Sequence, residues 1–291
     1  MDWLIGLQRA IDYVEEHLTE EIEYDRVARE AACSEFYFQR FFGMLCHVSL
    51  GEYIRNRRLT LAGYELREGK TKVIDVALRY GYESPESFAR AFARFHGISP
   101  SEAKKEGAKL RSFSRLSVKI TLSGGTVMDY KIVEKQAFTL LEKVEMHTVE
   151  NQENIKSIPA FWTRAYRDGT VEKLMELTSD KDYLFGVCYE TSPEDAKTFA
   201  YAIAVKWEQK TPVPEGFRVS TVPARTWAVF PCKGAMPDAI QNMWNRIVSE
   251  FFPTSDYQPT MELDIEAYTQ GDMEAPDYQS EIWVPVTKKT L

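Results

Sequence analysis

The sequence predicts two domains of different class: an all-α unit with a double helix-turn-helix, followed by an α+β domain built from two strand-helix-strand-strand repeats. Three observations predict this. The frame Phe-x-Arg-x-Phe occurs twice, as Phe38-Gln39-Arg40-Phe41-Phe42 and as Phe88-Ala89-Arg90-Ala91-Phe92. Apolar residues recur at steps of three and four early in the chain, and alternate beyond Met128. A length of 291 residues allows each part its own core.

Two Phe four residues apart share one helix face, and the Arg between them projects to the opposite face, so one face packs while the other can read. Val27-Ala28 and Val76-Ala77 stand at matching places upstream, followed by turn positions at Ala32 and Gly81. Each copy therefore reads as helix, tight turn, helix.

In chain order, Leu4, Leu7, Ile11, Val14 and Leu18 predict an amphipathic helix over residues 2–18. Residues 24–32 form the first helix of the first unit. Ser34 is placed to cap the second, from Glu35 to Cys46. Ser49 with Glu52 is a capping box opening a helix that runs to Glu68. At about 1.5 Å per residue this helix spans roughly 30 Å, close to the roughly 34 Å of one DNA turn. The second unit starts near Val73, turns at Gly81-Tyr82, and reopens with Ser84 as cap and Pro85 at the first helical position. Gly97 ends that helix, and Ser99 with Glu102 starts a short closing one. The boundaries read as 1–112 for the first domain, 113–127 for a linker containing an alternating strand from Leu116 to Leu122, and 128–291 for the second domain.

In the second domain, strands are expected around Phe138 to Val144, Tyr183 to Tyr189 and Phe199 to Lys206, with a helix near Ile158 to Arg167. A second set follows around Thr226 to Cys232, Glu262 to Tyr268 and Gln279 to Val286, with a helix near Pro237 to Phe252. Each set carries one helical Trp, Trp162 or Trp244.

The formal net charge of −8 is unevenly spread: residues 1–35 carry −7, residues 36–111 carry +6, and residues 112–291 carry −7. The basic block coincides with the two Phe-x-Arg-x-Phe frames, as a phosphate-contacting surface requires. The start of the chain has an early acid and no long apolar run, so the reading is a cytoplasmic protein without a membrane span. Cys33, Cys46, Cys188 and Cys232 and the four His show no metal-ligand spacing, and no cofactor is expected.

The stretches VAREAACSEFYFQRFF, YIRNRRL and IDVALRYGYESPESFARAFARFHGISPSEAKK resemble the AraC/XylS family of bacterial transcription regulators, over about 100 residues from Leu7 to Glu106. The resemblance implies that the second helix of each unit enters the major groove of an operator duplex. The residues expected at DNA are then Ser34, Phe36, Tyr37, Gln39 and Arg40 in the first unit, and Ser84, Glu86, Ser87, Arg90 and Arg94 in the second. RNA polymerase is a further candidate partner. Two departures stand out: Ala32 replaces the usual turn Gly, and Glu35 is acidic beside the expected phosphates.

Residues 128–291 resemble the GyrI-like effector-binding domain, most clearly at Met128-Asp129-Tyr130-Lys131-Ile132 and Glu281-Ile282-Trp283-Val284-Pro285. This implies a small-molecule effector, with a strand Glu at the base of its pocket. In the last strand Gln279, Glu281 and Trp283 share one face, and a carboxylate beside an indole suits an organic cation. Glu281 and Trp283 are therefore the expected ligand contacts, with Trp162, Tyr166 and Tyr268 as aromatic walls. The row Glu262, Asp264, Glu266 reads as a solvent face. No catalytic fingerprint or catalytic residue is found. A C-terminal hydrolase, or a module that binds only another protein, stays open as an alternative.

Overall fold

A computed structural model of the chain describes residues 3–118, 127–150, 153–178, 180–189, 198–208 and 212–289. The first domain comprises α1 (Trp3–Glu16), α2 (Tyr24–Glu30), α3 (Glu35–Cys46), α4 (Leu50–Arg67), α5 (Val73–Arg79), α6 (Pro85–His96) and α7 (Pro100–Ala103). Phe38 and Phe42 pack with Val27, Ala28, Leu7, Ile11 and Tyr53 in one core. Phe88 and Phe92 pack with Val76, Ala77, Leu59 and Leu66 in another. The long α4 supplies residues to both cores and so fixes the two units to each other. Serine oxygens start the helices as expected, Ser34 accepting from Tyr37 N–H at 3.4 Å and Ser84 from Ser87 N–H at 3.2 Å. Ser99 and Glu102 form a complete capping box.

The segment after α7 is less of a linker than its composition suggests. The Phe113 N–H donates to Thr60 Oγ1 at 2.9 Å, and the Val118 N–H to Gln8 Oε1 at 2.7 Å. Phe113, Leu116 and Val118 also pack on the first core. Residues up to Val118 thus belong physically to the helical domain and form no strand; the rest of the expected strand, with Gly124-Gly125, lies outside the described residues.

The second domain contains β1 (Lys131–Lys135), β2 (Phe138–Thr148), α8 (Asn154–Arg167), α9 (Thr170–Leu177), β3 (Leu184–Tyr189), β4 (Thr198–Lys206), β5 (Arg218–Val222), β6 (Arg225–Lys233), α10 (Asp238–Arg246), β7 (Tyr257–Pro259), β8 (Leu263–Tyr268) and β9 (Gln279–Lys288). α10 continues through a π-helical turn over Ile247–Phe251. The two expected repeats are present as β2-α8-β3-β4 and β6-α10-β8-β9. The elements absent from the sequence reading are β1, β5, β7 and α9. Of these, β1 and β5 close the two ends of the sheet and stay half exposed, so they lack the alternation that betrays a strand.

The strands pair antiparallel in the order β1-β6-β9-β8-β3-β4-β2-β5, with β7 added along β9. Period-two alternation separates two faces. One carries Leu141, Phe199, Tyr201, Phe230, Tyr268 and Ile282 against α8, α9 and α10. The other carries Phe185, Trp227, Ile265 and Trp283. Two-residue connections join β1 to β2 and β5 to β6, although β1 and β6 stand at one end of the strand order and β2 and β5 at the other, so the sheet curls until its ends approach.

The turns of the two units test the cost of a side chain at positive φ. Ala32 has φ 55°, and Gly81, its counterpart, has φ 78°. A Cβ on Gly81 would lie 2.9 Å from Arg58 Nη1. Ala32→Gly is expected to stabilise the chain by about 0.5–1 kcal/mol, the left-handed strain relieved less the added unfolded-chain entropy. Gly81→Ala is expected to destabilise it by about 1–2 kcal/mol. Urea unfolding of both variants checks the opposite signs.

Candidate functional site

The second helices of the two repeated units meet different surroundings. On α6, Glu86, Arg90 and Arg94 are exposed, Ser84 and Ser87 are partly so, and the face opposite Phe88 and Phe92 is open. On α3, Phe36, Tyr37 and Gln39 are buried, and the Arg40 side chain is only 9% exposed. The outward face of α3 is therefore not open to DNA in this structure. Phe36, Tyr37 and Phe41 belong to the apolar core of the second domain. Phe36 packs on Phe199 of β4 with ring centroids 4.7 Å apart.

The matching positions explain the difference. Phe36, Tyr37, Phe41 and Met44 of α3 correspond to Glu86, Ser87, Ala91 and Arg94 of α6. One outward face is apolar and needs cover, while the other is polar and stays solvated. Burying a Phe side chain is worth about 1.5–3 kcal/mol, so several of them make the docking of α3 a substantial contact.

At the centre of this contact lies Arg40. Its guanidinium forms a forked pair with Asp264 of β8, Nη2 to Oδ1 at 3.1 Å and Nη1 to Oδ2. It also stacks over the Trp244 indole of α10, 4.7 Å from the ring centroid. Burial works against the Arg40 charge, but Asp264 outweighs it and holds the guanidinium more firmly protonated than usual. The expected solvent row is thereby corrected: Glu262 is exposed, whereas Asp264 and Glu266 face α3 and α10 inside the protein. Alternation located the acidic face; α10 of the same domain covers Glu266, and α3 of the first domain covers Asp264.

Glu266, two residues along, accepts from Trp244 Nε1–H at 2.9 Å and from Tyr268 O–H at 2.7 Å. Burial pushes its carboxyl above the usual carboxylate range, while those bonds and Arg40 pull it back. Trp162 donates to Tyr201 Oη at 3.0 Å and meets Tyr268 edge-on at 5.3 Å, with Tyr166 6.1 Å beyond it. Trp162, Tyr166 and Tyr268, expected as walls beside Glu281, thus stand together on the opposite sheet face, where Tyr268 bonds Glu266. Gly186 of β3 makes the arrangement fit, since a Cβ there would stand 2.2 Å from the Tyr201 hydroxyl.

Glu281 and Trp283 are not part of this group. They lie on the opposite sheet face, where Trp283 Nε1–H donates to Glu281 Oε2 at 2.7 Å. The expected carboxylate–indole pair is real, but the chain's own lysines serve it: Lys131 bonds Glu281 at 3.2 Å and Lys135 sits 3.9 Å from the Trp283 ring centroid. Asp264, Glu266, Tyr201 and Trp244, which join this group, were not among the residues expected from the sequence. The available signal was the unusually apolar outward face of α3.

Among the described residues no three His, Cys, Asp or Glu stand close enough to hold a metal ion, and no helix is long and apolar enough to cross a membrane.

Comparison with known proteins agrees with both halves. Residues 27–106 match a helix-turn-helix domain model, and residues 131–286 match the model for the integron-associated effector binding protein Cass2. The regulatory protein SoxS of Salmonella typhimurium is 40% identical over 96 residues, 33% of this chain and 90% of SoxS. The transcriptional activator AarP of Providencia stuartii is 39% identical over 89 residues, 31% of this chain and 66% of AarP. The solved structure of SAV2435 bound to tetraphenylphosphonium is 24% identical, covers 55% of this chain and 94% of that one, and superposes with a TM-score of 0.50, which supports the fold. An AraC-type helix-turn-helix domain therefore precedes the second domain, and the chain belongs, through the larger part of its length, to the Cass2 family of effector-binding proteins.

Proposed function

We propose that the chain is a DNA-binding transcription regulator whose second domain binds an aromatic or otherwise apolar organic cation at Glu266. The observation that carries this reading is a carboxylate held among Trp162, Tyr201, Trp244 and Tyr268, with Asp264 beside it. Two carboxylates favour a positive charge, aromatic rings add quadrupole attraction, and partial burial strengthens both relative to water. Arg40, over the face of Trp244, is an internal example of the chemistry this surface accepts. SAV2435, which shares the fold, is a protein whose structure holds tetraphenylphosphonium, and that cation is a suitable probe. Operator DNA is read from the first domain, with α6 as the exposed reading helix and RNA polymerase as a further partner in this scheme.

Tetraphenylphosphonium titrated calorimetrically into the full-length chain is expected to bind, and Glu266→Gln to weaken it by about 1–3 kcal/mol. Glu281→Gln, on the far face, is expected to leave the affinity nearly unchanged; the reverse ranking would return the site to Glu281. Because the free Glu266 carboxyl is raised, a bound cation favours its ionised form and releases protons. Affinity should therefore increase as pH rises through the range just above ordinary carboxylate values, and Glu266→Gln should flatten that dependence.

Arg90→Ala is expected to weaken binding to a duplex selected by the full-length chain by about 1–3 kcal/mol, the value of a base-edge contact. Fluorescence anisotropy at fixed salt measures it, and an unchanged affinity would remove α6 Arg90 from the reading surface.

A further inference from the structure

Resting on the effector site just proposed, we propose that Arg40 of α3 is a built-in occupant of that site, so that a cationic effector and the docked first reading helix exclude each other. Effector binding then frees α3 to join α6 on DNA.

Arg40 and Arg90 hold the same place in the two repeats, yet Arg90 is exposed and Arg40 is spent on Asp264 and Trp244. With α3 docked, the chain presents one reading helix instead of two. The groups that hold Arg40 are the groups that would hold an effector: Trp244 stacks on the guanidinium through its face and donates its N–H to Glu266. A cation drawn to Glu266 and the Trp244 face meets Arg40, which already lies over that ring.

Charge count points to a releasable contact rather than a permanent strut. Asp264 and Glu266 set two carboxylates against a single guanidinium. A permanent interface gains little from a buried ion pair over apolar residues of similar volume, whereas an ion pair suits a contact that a competing charge can replace.

The test uses the full-length chain, a duplex selected by it, and tetraphenylphosphonium. By linkage, if the cation tightens DNA binding by some factor, DNA must tighten cation binding by the same factor. Wild-type affinity for the duplex should rise tenfold or more with saturating cation, with a matching reciprocal gain in calorimetry. Asp264→Asn should bind the duplex tightly without cation and respond little to it. The wild-type reciprocity needs no variant, so a poorly folded Asp264→Asn protein leaves the test intact. Cation binding with no change in DNA affinity would overturn the proposal and mark α3 as a fixed strut, with α6 reading alone. Absence of cation binding would instead remove the effector reading beneath it, and the competition with it.

Discussion

The forked ion pair between Arg40 and Asp264 is the interaction on which the arrangement of the whole chain depends. It joins the second helix of the first repeat to the sheet of the second domain, with both partners almost out of solvent. In such surroundings the desolvation of two charges nearly cancels their attraction, so the pair adds little net stability while it is intact. Its loss is another matter: removing one partner strands the other in a low-dielectric site, at about 3–5 kcal/mol. The pair therefore acts as a register pin. It fixes which face of α3 meets the sheet, while Phe36, Tyr37 and Phe41 supply the apolar contact that holds it there.

The same economy recurs on the other face of the sheet. Glu281 and Trp283 form the cation-binding pair that their spacing implies, and Lys131 and Lys135 occupy it. Both faces thus carry a carboxylate beside an indole with a basic side chain of the chain itself in place. They differ in where that side chain comes from. The lysines come from β1, an integral strand of the same sheet, whereas Arg40 comes from a helix of another domain. Only the second can leave without unravelling the sheet.

Much of the fold was legible because local signals agreed with tertiary need. Serine caps, a Pro at the first helical position and paired Phe at four-residue spacing placed the helices of the first domain to within a few residues. Alternation placed the six main strands of the second. The edge strands escaped because half-exposed residues carry no clear period, and α9 because it follows α8 after only Asp168 and Gly169. The candidate site was legible only in part. Trp162, Tyr166 and Tyr268 do converge, but on the helix-covered face and not beside Glu281 as expected. Asp264 and Glu266 were read as solvated, since a row of acids on alternate residues ordinarily faces water. Periodicity reports which residues share a face, and is silent on what another domain lays over it. The missing information was in α3, whose outward Phe36, Tyr37 and Phe41 answer to polar or small residues in α6.

If α3 is held against the second domain until a cation displaces it, hydrogen exchange along α3 and α6 of the full-length chain reports it. They have equal length, at 12 residues each, and comparable Phe-paired cores, so they differ chiefly in what covers the outward face. The amides of Glu35–Cys46 should exchange more slowly than those of Pro85–His96 in the free chain, and should lose that advantage when tetraphenylphosphonium is bound. Equal or faster exchange in α3 of the free chain would contradict the account.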